Sequence, residues 1–222
     1  MNTVLIVEPR RLDILAQIIY DCKKFGTSDW AYVFYCGKSS VDYWSSRLDS
    51  SIELRPLPVD NFTSSDSYND FMKSKSLWES LTGEYVLTLQ ADCWLLNKVP
   101  LATFLRLNKS FIGGNQNYIW PELIRERISF SHYNFNGGLS LRKRKDLIRI
   151  CDAFPPQPTV SSKYALTFTQ DAEDVYFTIG CKKLGMDVGD DEICSQFAIH
   201  GYFKDAAFGI HNPCNDAVQF SI

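Results

Sequence analysis

The chain has 222 residues, 45% hydrophobic and 14% aromatic, which is enough apolar content for one full core, so a single domain is expected. Its formal net charge of −3 and sequence pI near 5.6 leave no basic footprint, and nucleic acid and anionic membranes are not expected as partners. No stretch approaches the roughly 20 consecutive apolar residues of a membrane span.

Thr3–Glu8 reads as a first strand: its apolar run meets an acid too soon for a signal peptide, and a cytoplasmic protein without a leader is expected. Pro9 then opens a helix through about Phe25, with Leu12, Leu15, Ile18 and Ile19 at helical spacing and Gly26 as its stop. Ala31–Cys36 is a second strand, followed by a short helix near Val41–Arg47, and Ile52–Leu57 is a third strand. Asp60–Ser67 is polar and reads as a loop, and a helix is predicted from about Tyr68 to Leu81. Glu84–Leu96 carries the near-continuous apolar run of a buried parallel strand, and Pro100–Arg106 a helix.

The second half has a different texture. Ser110–Gly114 is strand-like, Asn115–Ser129 mixes loop and helix, and Phe135–Arg142 reads as a turn feeding a strand. Helices are predicted at Lys143–Ala153, stopped by Pro155 and Pro156, and at about Asp171–Leu184, with Gly185 behind it. Gln157–Thr169 is an irregular connection. Alternating strands and helices predict an α/β fold with a mostly parallel sheet, with a nucleotide half over about 1–95 and a less regular half over about 96–222 for a second substrate. The cysteines at 22, 36, 93, 151, 181, 194 and 214 are odd in number, scattered and without a C-x-x-C pair, which predicts reduced thiols and no structural zinc. Two glycosylation sequons, Asn61-Phe-Thr63 and Asn108-Lys-Ser110, are read as accidental.

Four clusters could carry chemistry. Asp92 ends the predicted fourth strand, and ligands of open α/β sheets gather beyond the carboxyl ends of strands. An acid there suits a hard divalent cation on a diphosphate, or simply caps the next turn. Glu8-Pro-Arg10 lies at the end of the first strand, and reads either as a contact to a nucleotide or as a helix start. In Phe135-Asn-Gly-Gly-Leu-Ser-Leu-Arg142, Asn136 can bond hydroxyls while Gly137 and Gly138 let the backbone approach a sugar; Asn-Gly is also an ordinary turn signal. Asp171, Glu173 and Asp174 crowd a helix start, where the macrodipole favours acids and where a carboxylate could also accept a proton. His211, in Phe208-Gly-Ile-His-Asn-Pro213, follows a β-like segment and is placed to reach a site, whereas His132 and His200 read as structural or exposed. No glycine-rich dinucleotide or P-loop signature occurs.

Taken in order, Val7-Glu-Pro-Arg10, Tyr68-Asn-Asp-Phe-Met-Lys-Ser-Lys-Ser-Leu-Trp-Glu79, Leu89-Gln-Ala-Asp92, Phe135–Arg142, Glu173-Asp-Val-Tyr-Phe177 and Phe208-Gly-Ile-His211 resemble the small stand-alone GT-A glycosyltransferases of bacteria and large DNA viruses, including those that decorate chlorovirus capsids. The likeness runs from about Thr3 to Pro213. It implies a GT-A fold, a nucleotide-diphosphate sugar donor with UDP the expected nucleotide, a glycan or glycoprotein acceptor, and a Mn2+ or Mg2+ ion. It further implies Asp92 and His211 as metal ligands, Glu8, Arg10, Gln90, Asn136, Gly137 and Gly138 along the donor, and Asp174, then Glu173, as the catalytic acid pair. The chain departs from the D-x-D pattern of the family, because Gln90 stands where its first acid is expected. Two rivals remain: a carbohydrate-binding or capsid-associated protein that kept the fold without catalysis, and a sugar nucleotidyltransferase, which the absence of a glycine-rich first turn disfavours.

Overall fold

The computed structural model describes residues 1–115, 135–160, 164–201 and 205–213. The expected mixed segment beyond Asn115, together with His132, Cys214 and part of the 157–169 connection, falls outside them. Six strands form the main sheet: β1 (Thr3–Glu8), β2 (Ala31–Cys36), β3 (Ile52–Pro56), β4 (Tyr85–Leu89), β6 (Phe111–Gly114) and β7 (Asn136–Lys143), in the order β3-β2-β1-β4-β7-β6. The first four strands run parallel, whereas β7 is antiparallel to both β4 and β6. A smaller sheet, β5 (Cys93–Leu95), β9 (Gly209–His211) and β8 (Ala198–His200), sits at the carboxyl ends of the parallel strands.

Every residue of β1 and β4 is buried, as their unbroken apolar runs require of strands covered on both faces. One face packs under α1 (Ile14–Cys22), through Leu15, Ile18, Ile19 and Cys22, along with Trp44, Phe104 and Phe208. The other face is covered by α3 (Ser65–Lys73), α4 (Lys75–Glu79), α6 (Arg144–Ala153) and α7 (Glu173–Lys183), with Trp78, Tyr176 and Phe177 at its centre. Short helices α2 (Val41–Ser45), α5 (Leu101–Arg106) and α8 (Asp191–Phe197) complete the α-helices among the described residues.

Several boundaries differ from the sequence expectation, each for a local reason. Pro9 does not open a helix; residues 9–13 form a bend and turn, and α1 starts at Ile14. Gly26 does end that segment, with a φ of 110° after a wider turn over Lys23–Thr27. The helix expected over Tyr68–Leu81 is two helices, because Ser74 is extended at φ −67°, ψ 126°. The first of them starts at Ser65, inside the expected loop, where the Ser64 side chain accepts from the Ser67 N–H and the Ser67 hydroxyl caps in return. The long strand expected to end near Leu96 breaks at Leu89, and Gln90-Ala-Asp92 turns the chain into the second sheet. Asn136-Gly137 is not a turn but the start of β7, with Gly114 as partner of Asn136. The helix Asp191–Phe197 has no counterpart in the sequence reading.

Candidate active site

The turn at the end of β4 builds the centre of the site. The Gln90 carbonyl accepts from the Cys93 N–H at 3.2 Å, and Cys93 then pairs with His211 across β5 and β9. This pairing puts the Asp92 carbonyl under the Asn212 N–H at 3.0 Å and the Asp92 Oδ1 atom 3.2 Å from His211 Nε2. Two residues 119 positions apart thus meet because two three-residue strands pair. Asp92 is half exposed while His211 is buried. Burial pushes the Asp92 carboxyl up, but the hydrogen bond and charge of His211 outweigh it and hold the group below its ordinary value.

Gln90 and His200 orient this pair. The Gln90 Oε1 atom is 2.9 Å from His211 Nε2, and its Nε2 donates to the Tyr68 hydroxyl at 2.8 Å. Facing two acceptors, Gln90 Oε1 and Asp92 Oδ1, His211 Nε2 carries a hydrogen in this arrangement. His200 lies beside His211 in the β8/β9 register, with the two Nδ1 atoms 2.8 Å apart. Burial, reinforced by the neighbouring imidazole, drives the His200 pKa down to about 4, so it stays neutral and shares one hydrogen with His211. His200, expected to be structural or exposed, therefore braces the site, a role that only the strand register reveals.

The two glycines of β7 each make room for one side chain. A Cβ on Gly138 would overlap the His211 ring, and one on Gly137 would overlap the Glu173 carboxylate and the Arg142 guanidinium. Glu173 is 3% exposed and accepts from Arg142 Nη2 at 3.0 Å and from Nη1, while Arg142 also donates to the Gly137 carbonyl at 3.1 Å. This carboxylate is buried and engaged through both oxygens by the guanidinium, which braces the start of β7. Its neighbour Asp174 is half buried and accepts from the Gly137 N–H at 3.3 Å and from the Val175 N–H at 2.8 Å. Asp174 and His211 thus contact consecutive residues of β7. Asn136 is turned back on the strand, its Oδ1 accepting from the Gly138 N–H at 3.0 Å.

Beside this centre is a cleft of about 610 Å³, lined by Glu8, Arg10, Asn61, Phe62, Ser64, Ser65, Tyr68, Gln90 and Asp92. Glu8 is buried, and Arg10 clamps it through Nε at 2.7 Å and Nη2 at 2.7 Å. The acid at the end of β1 therefore holds a half-exposed guanidinium at the mouth of the cleft. Lys73, which the sequence reading passed over, is 1% exposed and donates to the carbonyls of Gln157, Thr169 and Asp171 at 2.8, 3.2 and 3.1 Å. Asn69 accepts from the Glu173 N–H at 3.1 Å, and Asp70 from the Thr159 N–H at 2.7 Å, so α3 ties the cleft wall to the start of α7. The six described cysteines are free and buried, and no cluster of three His, Cys, Asp or Glu side chains suited to a metal occurs among the described residues.

Residues 51–211 match the family described as "Protein of unknown function (DUF5672)". The chain belongs to this family. The matched span holds the whole centre from Gln90 to His211 but not Glu8 or Arg10. The galactosyltransferase LgtC, solved in complex with donor and acceptor sugar analogs, superposes with a TM-score of 0.59 over 100% of this chain and 92% of its own, at 12% identity. HddC from Yersinia pseudotuberculosis aligns at a TM-score of 0.44 and 11% identity, covering 75% of this chain and 85% of its own. No curated protein sequence matches. The chain has a GT-A fold, and its cleft and Asp92 lie at the carboxyl ends of the parallel strands, the end where ligands of open α/β sheets gather.

Proposed function

We propose that this protein is a metal-dependent glycosyltransferase that moves a sugar from a nucleotide-diphosphate sugar, with UDP as the nucleotide, to a glycan acceptor. The observation that carries the reading is the approach of Asp92 Oδ1 to His211 Nε2 at 3.2 Å, at the strand ends of a GT-A fold and beside an open cleft. Neighbouring ligands of an octahedral ion with bonds of about 2.1 Å lie about 3 Å apart, so the pair fits two positions around Mn2+ or Mg2+. Such ions commonly take only one or two protein ligands and complete their shell with water and phosphate oxygens, which suits a site with two strong donors. To ligate, His211 Nε2 gives up its hydrogen and Nδ1 donates to His200, whose low pKa keeps it ready to accept.

When bound, the ion supplies positive charge to the departing diphosphate. Arg10, fixed by Glu8, adds a second positive group at the cleft mouth, and Gln90 aligns the His211 ring. In an inverting reaction the bond from the anomeric carbon to the diphosphate breaks, its electron pair leaving with the phosphate. The acceptor oxygen bonds to that carbon, and its proton passes to the Asp174 carboxylate. In a retaining reaction the leaving phosphate takes the proton and Asp174 only orients the acceptor. Glu173 holds the Gly137 end of β7 through Arg142 in either case.

Gln90 in place of an acid favours a second reading, a sugar-binding protein without turnover. Incubation with a panel of UDP-sugars and Mn2+, without acceptor, separates the two. Slow release of UDP that disappears in Asp92→Asn supports the transferase, and donor binding with no UDP release supports the binding protein.

A further inference from the structure

At the opposite end of the main sheet, beside the amino end of β4 and the end of β7, is a second concavity of about 700 Å³, lined by Gly83, Glu84, Lys143, Arg144, Lys145, Asp146 and Arg149. The five residues of β4 separate it from the Asp92 turn, a distance of about 17 Å. Four cations and two acids face this notch, in a chain whose net charge is −3.

The pairing within the notch is incomplete. Lys143 Nζ is 3.5 Å from Glu84, and Arg149 Nη1 is 3.2 Å from Asp146, whose other oxygen accepts from Ser110. Arg144 meets no carboxylate among the described residues: its Nε donates to the Gly83 carbonyl at 3.0 Å and its Nη1 to the Trp78 carbonyl at 3.3 Å. Those two bonds fix the plane of the guanidinium while Nη2 keeps no bonding partner among the described residues, leaving a pre-positioned donor edge. Lys145 is exposed and has no ion pair among the described residues. Elsewhere on the surface Lys23 pairs with Asp49, Arg55 with Glu53 and Lys109 with Asp187. Consecutive cations at 143, 144 and 145 repel one another, and they precede or begin α6, where positive charge is unfavourable.

We propose that this notch is a second binding site, separate from the cleft, for a phosphate group. A tetrahedral anion with several acceptor oxygens can engage the Arg144 edge and the Lys145 and Arg149 heads together, and relieves the charge crowding. A phosphodiester of a lipid headgroup and a free phosphate present the same chemistry. Because the chain as a whole repels anions, binding must come from these residues rather than from bulk charge. The inference does not depend on the transferase reading.

The test follows backbone amide resonances of the full chain during titration with inorganic pyrophosphate at low salt. In parallel, co-sedimentation is measured with vesicles of phosphatidylcholine alone or with about one third phosphatidylserine. The expected result is a saturable shift at Gly83, Glu84 and Lys145, or sedimentation with the anionic vesicles only. The first identifies a free phosphate as the ligand and the second a headgroup. Lys145→Glu and Arg149→Glu replace exposed side chains and leave the fold intact, and each should weaken the response about fivefold or more. Shifts confined to Gln90–Asp92 would assign pyrophosphate to the cleft alone, and without anionic-vesicle binding they overturn the proposal. Binding that survives both charge reversals overturns it as well.

Discussion

The His211 imidazole occupies the space that a side chain on Gly138 would fill. The Nε2 side of the ring approaches β7 closely because that position has no Cβ, and the Cys93 Sγ and Gln90 N–H both bond the Gly138 carbonyl, at 3.3 and 3.0 Å, from the neighbouring turn. Gly138 is therefore the floor on which the Asp92 turn and His211 are assembled.

Gly138→Ala should displace the ring while keeping the fold, at a cost of about 1–3 kcal/mol for the overpacked contact. The Mn2+ concentration for half-maximal UDP release should rise about tenfold or more, the size usually seen when the support of a metal ligand is lost. A metal titration beside a thermal melt checks both. An unchanged titration in a folded variant would show that His211 has no part in metal binding.

The Arg142–Glu173 pair is fully buried, with the guanidinium 4.9 Å from the Phe111 ring and 5.5 Å from Trp78. Removing either partner strands a charge in the core, so Arg142→Met and Glu173→Leu should each cost about 3–5 kcal/mol. The double variant should recover most of that loss, since no charge is then left unpaired. Urea denaturation of the three variants measures the coupling, and additive losses would contradict the pairing.

Asp174→Asn should keep donor affinity and stability while lowering turnover about 10²-fold if the protein supplies the base. Glu173→Gln should act mainly on stability. Donor affinity, turnover and melting temperature measured on both variants decide whether the two adjacent acids divide the work in this way. Near-normal turnover in a stable Asp174→Asn protein would point to a retaining reaction.

The first two strands were legible to the residue, because an unbroken apolar run bounded by an acid or a glycine has one reading in a parallel sheet. Asn136-Gly137 was misread because its local turn preference is overridden by pairing with Gly114, a contact that no local pattern announces. Ser74 broke a helix whose periodicity looked continuous, since α3 and α4 pack differently on the same sheet face. Asp92 and Glu8 could be picked out by their place at strand ends and Gln90 by the family resemblance, and the three line one cleft. His200, Lys73 and Arg142 were invisible, because their roles come from strand register and from carbonyls or carboxylates distant in sequence.

Burial pushes the Cys22 and Cys151 thiols up to about 11 and the Cys181 and Cys194 thiols up to about 12. In the unfolded chain these thiols ionise near their ordinary value, about 8.5, so above it the folded state holds more protons than the unfolded state. The stability they contribute is complete below about pH 8 and falls as pH rises toward 11, by up to about 1.4 kcal/mol per unit for each thiol. Urea midpoints between pH 7 and 10.5 under reducing conditions should fall steeply. In Cys22→Ala the slope should be shallower by one proton, and a flat alkaline limb in the wild type would contradict the burial of these thiols.

Direct Mn2+ binding, followed by electron paramagnetic resonance with and without UDP, tests the central claim that Asp92 and His211 hold a cation for a nucleotide diphosphate. The wild type should bind Mn2+ more tightly with UDP present. Asp92→Asn and His211→Ala should each weaken that binding by about tenfold or more while melting cooperatively. Equal Mn2+ affinity in the wild type and both variants, with or without UDP, would contradict it.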